Sequence, residues 1–89
     1  ENDDAMALYL LRKDLAASSV VELRKDTLQY TLFNEQKQLI YHNRRLVSMN
    51  GYEIFFQNVD ALSFYQQENC IGVTWRRKEM ENEALLVCR

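Results

Sequence analysis

Proline is absent from the sequence, and glycine occurs only twice in 89 residues. That scarcity removes the Gly-rich phosphate loops of nucleotide-binding proteins and the Pro/Gly-rich composition of disordered linkers. Histidine occurs once and cysteine twice, with no CxxC spacing, so a zinc site has too few ligands. No G-x-S-x-G elbow is present to hold a serine nucleophile. No apolar run approaches the roughly 18–20 residues that a membrane span needs, and nothing resembles a secretory leader. A basic excess is also missing. Eleven Lys and Arg against thirteen Asp and Glu give a net charge of -2, which does not advertise a nucleic-acid or anionic-membrane surface.

What is present is a composition suited to one folded domain. Hydrophobic residues make up 47% and charged residues 27% of the chain, enough for a single modest core. We read residues 1–89 as one domain, with the end of a helix over about residues 1–19 and a β region over 20–89. The chain opens on "ENDDAMALYLLRKDL" already in a helical pattern and without an initiator Met, which leads us to expect a processed or truncated form.

From Asp3 to Ser18 there are strong helix formers and no Gly or Pro, and Ser18-Ser19 marks the end. At about 100° per residue, Leu8, Leu11 and Leu15 form one apolar stripe, while Met6, Leu10 and Ala17 form another nearly opposite. A helix on a small sheet needs only the first. The second is either incidental exposure or a face for a partner.

After the helix the apolar period becomes two. Val20–Arg24 and Thr27–Phe33 bracket a turn at Lys25-Asp26, and Gln38–Asn43 follows the polar "NEQK". "RRLVSM" leads to Asn50-Gly51, a tight-turn signal because both residues tolerate positive φ. Beyond it, Ile54 and Phe56 share a face, Val59 has the other parity, and Leu62 and Phe64 return to the first. A break around Asn58–Ala61 would bring all five to one core as fold determinants, so we read two strands, Tyr52–Gln57 and Leu62–Gln66. Cys70–Trp75 and Ala84–Cys88 form a last hairpin. With its turn near Glu79, Val73 faces Leu85, Ile71 faces Val87, Gly72 faces Leu86 and Cys70 faces Cys88. The fold class is therefore α+β, an N-terminal helix packed on antiparallel sheet of six or seven strands.

The register makes Cys70 and Cys88 candidates for a disulfide. A bridge closing a loop of about twenty residues would stabilise by roughly 3 kcal/mol. In a reducing compartment the same pair would be two small free hydrophobes. His42, in "IYHN", has no partner spaced for general-base work and reads as an ordinary strand residue. Glu22, Asp26, Glu35, Glu53, Asp60 and Glu68 fall in turns or at outward strand positions, with no acid–base pair among them. No catalytic, cofactor-binding or metal-binding residue is indicated. Two basic clusters remain, Arg44-Arg45 and Arg76-Arg77-Lys78. With Tyr41 and Trp75 nearby they could combine phosphate attraction with base stacking, although Glu79, Glu81 and Glu83 oppose the second cluster. Solvated turn charges are the plainer reading.

Three segments in order, "LYLLRKDLAASSVVEL", "LIYHNRRLVSMNGYEIFFQNVDALSF" and a closing hairpin, resemble the ComGF-type minor pilins (pseudopilins) of Gram-positive competence systems. They are more distantly similar to the J-type minor pseudopilins of type II secretion. The helix around Leu11–Leu15 matches the end of that family's N-terminal helix. "IYHNRRLV" matches its paired strands, and "NGYEIFFQNV" its G-x-E…Q-N-V signature. The resemblance implies a pilin-like fold and a membrane-anchored subunit, cleaved by a prepilin peptidase. Such subunits assemble outside the cytoplasmic membrane into a thin pilus used in DNA uptake. The leader, the peptidase site and the anchoring apolar helix are not in this sequence. On this reading the helix continues upstream and "ENDD" is an interior segment. Partners would be other pilins of the filament, with Met6, Leu10 and Ala17 as helix contacts and no small-molecule substrate. Surface exposure would favour the Cys70–Cys88 bridge. The alternative is a module of the same apparatus that contacts DNA through Arg76, Arg77 and Lys78.

Overall fold

The computed structural model describes residues 3–49 and 52–89. Among them the chain forms one helix, α1 (Asp3–Ala17), and eight strands. These are β1 (Val20–Arg24), β2 (Thr27–Leu32), β3 (Glu35–His42), β4 (Arg45–Ser48), β5 (Glu53–Phe56), β6 (Ala61–Gln67), β7 (Cys70–Arg77) and β8 (Met80–Cys88). Strands β1 to β5 make a five-stranded antiparallel meander, and β6 to β8 a second sheet of three. The helix lies against β2, β5 and β8 and so touches both sheets. The count exceeds the six or seven strands expected from pattern. Leu46, Val47 and Ser48 of β4 are all buried, so this short strand shows none of the alternation that betrays a half-buried strand.

The core joins the three layers. Leu11 and Leu15 of α1 are fully buried against Leu28, Leu39, Leu46 and Phe56 of the larger sheet and Val73 and Trp75 of the smaller. Each such side chain contributes about 1.5–3 kcal/mol by leaving water. Phe56 and Trp75 meet with ring centroids 4.9 Å apart, which ties the sheets together directly. Ala7 rather than Leu8 completes the buried stripe of the helix; Leu8 and Leu10 are half-buried at its margins. At the end of the helix Ser18 Oγ donates to Asp14 O at 2.8 Å, and Leu15 O accepts from both Ser18 N and Arg89 Nη1 at 3.2 Å, so the last-turn carbonyls are satisfied.

The expected break after β5 is present, and it is larger than a kink: β5 and β6 belong to different sheets. Val59, in the link, is fully buried. Ile54 does not join it. The β4–β5 register slips between Leu46 and Val47, pairing Leu46 with Phe56 and Val47 with Ile54. Phe55 is the extra residue of this bulge, so Phe55 and Phe56 both turn inward while Ile54 remains 38% exposed. A second bulge, between Ile71 and Gly72, corrects the last hairpin. Cys70 faces Cys88 and Ile71 faces Val87 as expected, but Gly72 then faces Leu85 and Val73 faces Ala84. The extra residue, Leu86, is buried. Gly72 is itself covered by Tyr65; a methyl group there would collide with the ring.

Two-residue turns connect most neighbouring strands, at Lys25-Asp26, Phe33-Asn34, Asn43-Arg44, Glu68-Asn69 and Lys78-Glu79. Such turns match strand twist when their central residues take positive φ. Here φ is 53° at Lys25, 53° at Phe33, 67° at Asn34, 53° at Asn43, 61° at Arg44, and 57° at both Glu68 and Lys78, all without glycine. Phe33, expected to end a strand, is therefore a turn residue. The Asn50-Gly51 turn lies outside the described residues. Because a side chain in the left-handed region is strained, Lys25→Gly should raise the thermal midpoint and Lys25→Val should lower it, each by about 0.5–1 kcal/mol or a few degrees. Calorimetry of the two variants checks this.

Candidate functional site

At one pole of the molecule the first turn of α1, the β5–β6 link and the β7–β8 turn converge. The link, residues 57–60, cannot pair within a sheet, and its backbone bonds go elsewhere. Val59 N donates to Arg44 O at 2.9 Å, Asp60 N to Arg76 O at 2.8 Å, and Tyr41 Oη to Val59 O at 2.6 Å. Asp60 accepts from Arg44 Nη2 at 2.6 Å and Nε at 3.2 Å through Oδ1, and from Lys78 N at 2.6 Å through Oδ2. The Lys78 amide foremost, then Arg44, holds its carboxyl below the usual range.

Arg77 is the second tie. Its Nη1 and Nη2 donate to the two oxygens of Asp4, at 2.6 and 2.9 Å, while Nε and Nη2 donate to Gln57 O at 3.2 and 2.8 Å. Trp75 Nε1 adds a bond to Asp4 Oδ2 at 3.2 Å. The Arg77 hydrogen bonds lower the Asp4 pKa against an opposing burial effect, and Asp4 in turn raises that of Arg77. One guanidinium thus joins the helix, the link and the smaller sheet.

This arrangement redistributes the residues read as a basic cluster. Arg77 is committed inside the molecule, and Arg76 Nη1 donates to Lys78 O at 2.7 Å, with Glu81 directly across the strand pair. Arg44 is held by Asp60. Trp75 is 5% exposed and packed against the tilted ring of Phe56, so it offers no surface to a base, and the expected stacking role is corrected. The Tyr41 hydroxyl is engaged with the link. Asp60 is a structural acceptor rather than an idle turn carboxylate. Glu22 pairs with Arg24 at 3.3 Å, and His42 is exposed at the end of β3. Among the described residues no three His, Cys, Asp or Glu side chains gather as a metal site.

The expected helix contacts separate. Met6 and Leu10 share a groove of about 610 Å³ with Ala7, Ile54 and Phe55, between α1 and the edge strand β5. Met6 is 58% exposed there, whereas Leu10 is half-buried and also packs on the core. Ala17 is exposed at the opposite end of the helix. That opposite pole carries the Cys70–Cys88 disulfide, formed between directly paired residues of β7 and β8. Beside it Arg89 N donates to Asn69 O at 2.8 Å, and the Arg89 side chain reaches Leu15 O and Ser19 O of the helix exit. Asp4 and Arg89 carry no periodic or motif signal, and Gln57 stands in the Q-N-V signature without any sign of its carbonyl's role; their partners lie 71 and 73, 74 and 70, and 20 positions away.

Carboxylates with depressed folded-state pKa values stabilise the fold above the unfolded value, 3.8 for Asp, and lose that contribution as pH falls through the folded value. Urea midpoints should therefore fall in acid below about pH 4. Asp4→Asn and Asp60→Asn should each lower the midpoint near neutrality and flatten the acid limb. No family model, curated protein or solved structure matches the chain.

Proposed function

We propose that the chain is a non-catalytic structural subunit of the minor-pilin kind, working by assembly with other subunits outside the cytoplasmic membrane. The observation that carries this reading is the division of α1. Ala7, Leu11 and Leu15 are sealed against the two sheets, while Met6, Tyr9 and Ala17 stay outside. A helix whose inner stripe already satisfies the fold has an outer surface free for neighbours. The Cys70–Cys88 bridge suits an oxidising, extracytoplasmic setting. The polar side chains of the link pole are spent on joining elements, as a scaffold requires.

The alternative, DNA contact, has less to draw on, because Arg77 and Arg44 are paired internally and Trp75 is buried. Arg76 and the Lys78 amine are what remain for it.

The subunit reading requires a short basic leader and a Glu-bearing apolar helix of about 20 residues encoded upstream of Glu1. Reading the gene tests that directly, and a coding sequence without such a segment would remove the proposal. With the full-length gene in its own cells, Met6→Glu and Ala17→Glu should lower filament assembly at least several-fold while subunit levels stay unchanged. Immunoblots of sheared filaments against whole cells report both quantities.

A further inference from the structure

The two sheets have four edge strands, β1 and β5 in the larger and β6 and β8 in the smaller. An edge strand presents unpaired backbone donors and acceptors, and natural proteins cover or charge it to prevent pairing with another chain. Three of the four edges are managed in this way. The helix lies against β5 and β8, and Arg12 Nε donates to Leu85 O of β8 at 2.9 Å. Strand β1 is short and carries Glu22 and Arg24, with Lys25 in the turn that follows. Strand β6 is the exception. Its seven residues, Ala61–Gln67, include no charge, proline or glycine. Strand β1 comes near it, yet no ladder joins the two.

The geometry of β6 leaves that edge clear. Gln67 and Cys70 close a two-residue turn, where the paired residues exchange both backbone bonds. Alternation then turns the amides and carbonyls of Leu62, Phe64 and Gln66 away from β7. On the outer face the side chains lean toward their own sheet. Ser63 Oγ meets Thr74 Oγ1 at 3.1 Å, and the Tyr65 ring lies over Gly72 with its hydroxyl donating to Glu83 at 2.7 Å. On the inner face Leu62 and Phe64 pack on the core but are only half-buried. A strand laid along β6 would satisfy the three outward backbone positions and complete the cover of both side chains.

We propose that β6 pairs with β6 of a second copy, antiparallel about a two-fold axis at Phe64, joining two three-stranded sheets into one of six. A second copy is the occupant whose complementarity the strand itself contains. A register centred on Phe64 sets Phe64 opposite its counterpart and Leu62 opposite Gln66, so every outward backbone position of one copy meets one of the other. Ser63 falls opposite Tyr65 between them. No like charges meet, and like charges are what usually bar an edge from pairing with itself. The contact is isologous and closes as a pair. Seven residues a side is well below the roughly 20–30 of a standard interface, so isolated domains associate weakly. Pairing of this kind depends on the folded domain alone and not on the subunit reading above.

NMR on the disulfide-intact protein, from about 20 µM to about 1 mM, covers the range in which so small a contact associates. Amide exchange at Leu62, Phe64 and Gln66 should slow at least several-fold as concentration rises, while Ser63 and Tyr65, already bonded to β7, stay unchanged. In an equal mixture of labelled and unlabelled protein, isotope-filtered NOEs should connect Ser63 Hα of one copy with Tyr65 Hα of the other. Within one strand those residues lie about 6.6 Å apart, so the signal reports the register between copies. Gln66→Lys charges the exposed edge without touching the core and should weaken association at least tenfold, with the circular dichroism spectrum unchanged. Constant exchange over the whole concentration range, self-association through β1 or the α1–β5 groove, or association indifferent to Gln66→Lys would overturn the proposal. A monomeric protein would remove this pairing and leave the subunit reading, which is tested on the gene, where it stands.

Discussion

A single guanidinium organises the junction on which the rest of the fold depends. Two sheets of different size, joined by four irregular residues, have no hydrogen-bonded ladder between them, and a helix laid across both can slide or lift. Arg77 removes that freedom by using its fork on two elements at once, Asp4 at the start of α1 and the Gln57 carbonyl in the link. Paired, charge-assisted bonds of this kind fix geometry as well as adding energy. Both partners are about one-third exposed, so solvent screens the attraction; its main contribution is orientation. Asp60 repeats the device on the other side of the link, taking Arg44 from the large sheet and the Lys78 amide from the small one.

The packed core and this polar junction do different work. Leu11, Leu15, Phe56, Val73 and Trp75 supply burial, which is strong and non-directional. Burial alone would accept several angles between the sheets. Val59 shows the two effects acting together, its side chain buried while its amide and carbonyl are held by Arg44 and Tyr41. The opposite pole has a covalent counterpart in Cys70–Cys88, beside which Arg89 closes the helix exit. Both ends of α1 are therefore fastened by residues of the smaller sheet or its C-terminal extension, while its outer face stays open.

Much of this was legible in the sequence wherever the determinant was local. The C-terminal limit of the helix, most strand pairs, the interruption between Phe56 and Leu62, and the opposition of Cys70 to Cys88 follow from periodicity and turn spacing. The failures occur where a single residue breaks the period. Phe55 and Leu86 are bulge residues, and each displaces one side of a pairing that simple alternation extends unbroken. Phe33 reads as the end of a strand by its aromatic character, which masks its place in a turn. The Asp4–Arg77 pair is 73 residues apart, and nothing in either local sequence foretells it. The basic run Arg76-Arg77-Lys78 reads as one patch, yet alternation along β7 and the turn that follows part Arg77, bound to Asp4, from Arg76, bound to the Lys78 carbonyl.

If the Arg77 fork coordinates the helix with the link, its geometry matters more than its charge. Amide hydrogen exchange on Arg77→Lys, which keeps the charge and loses the fork, isolates that property. Protection should fall together in the first turn of α1 and in residues 57–60, with the Cys70–Cys88 end unaffected. Loss confined to one of those two segments, or protection unchanged in both, would contradict the role given to Arg77.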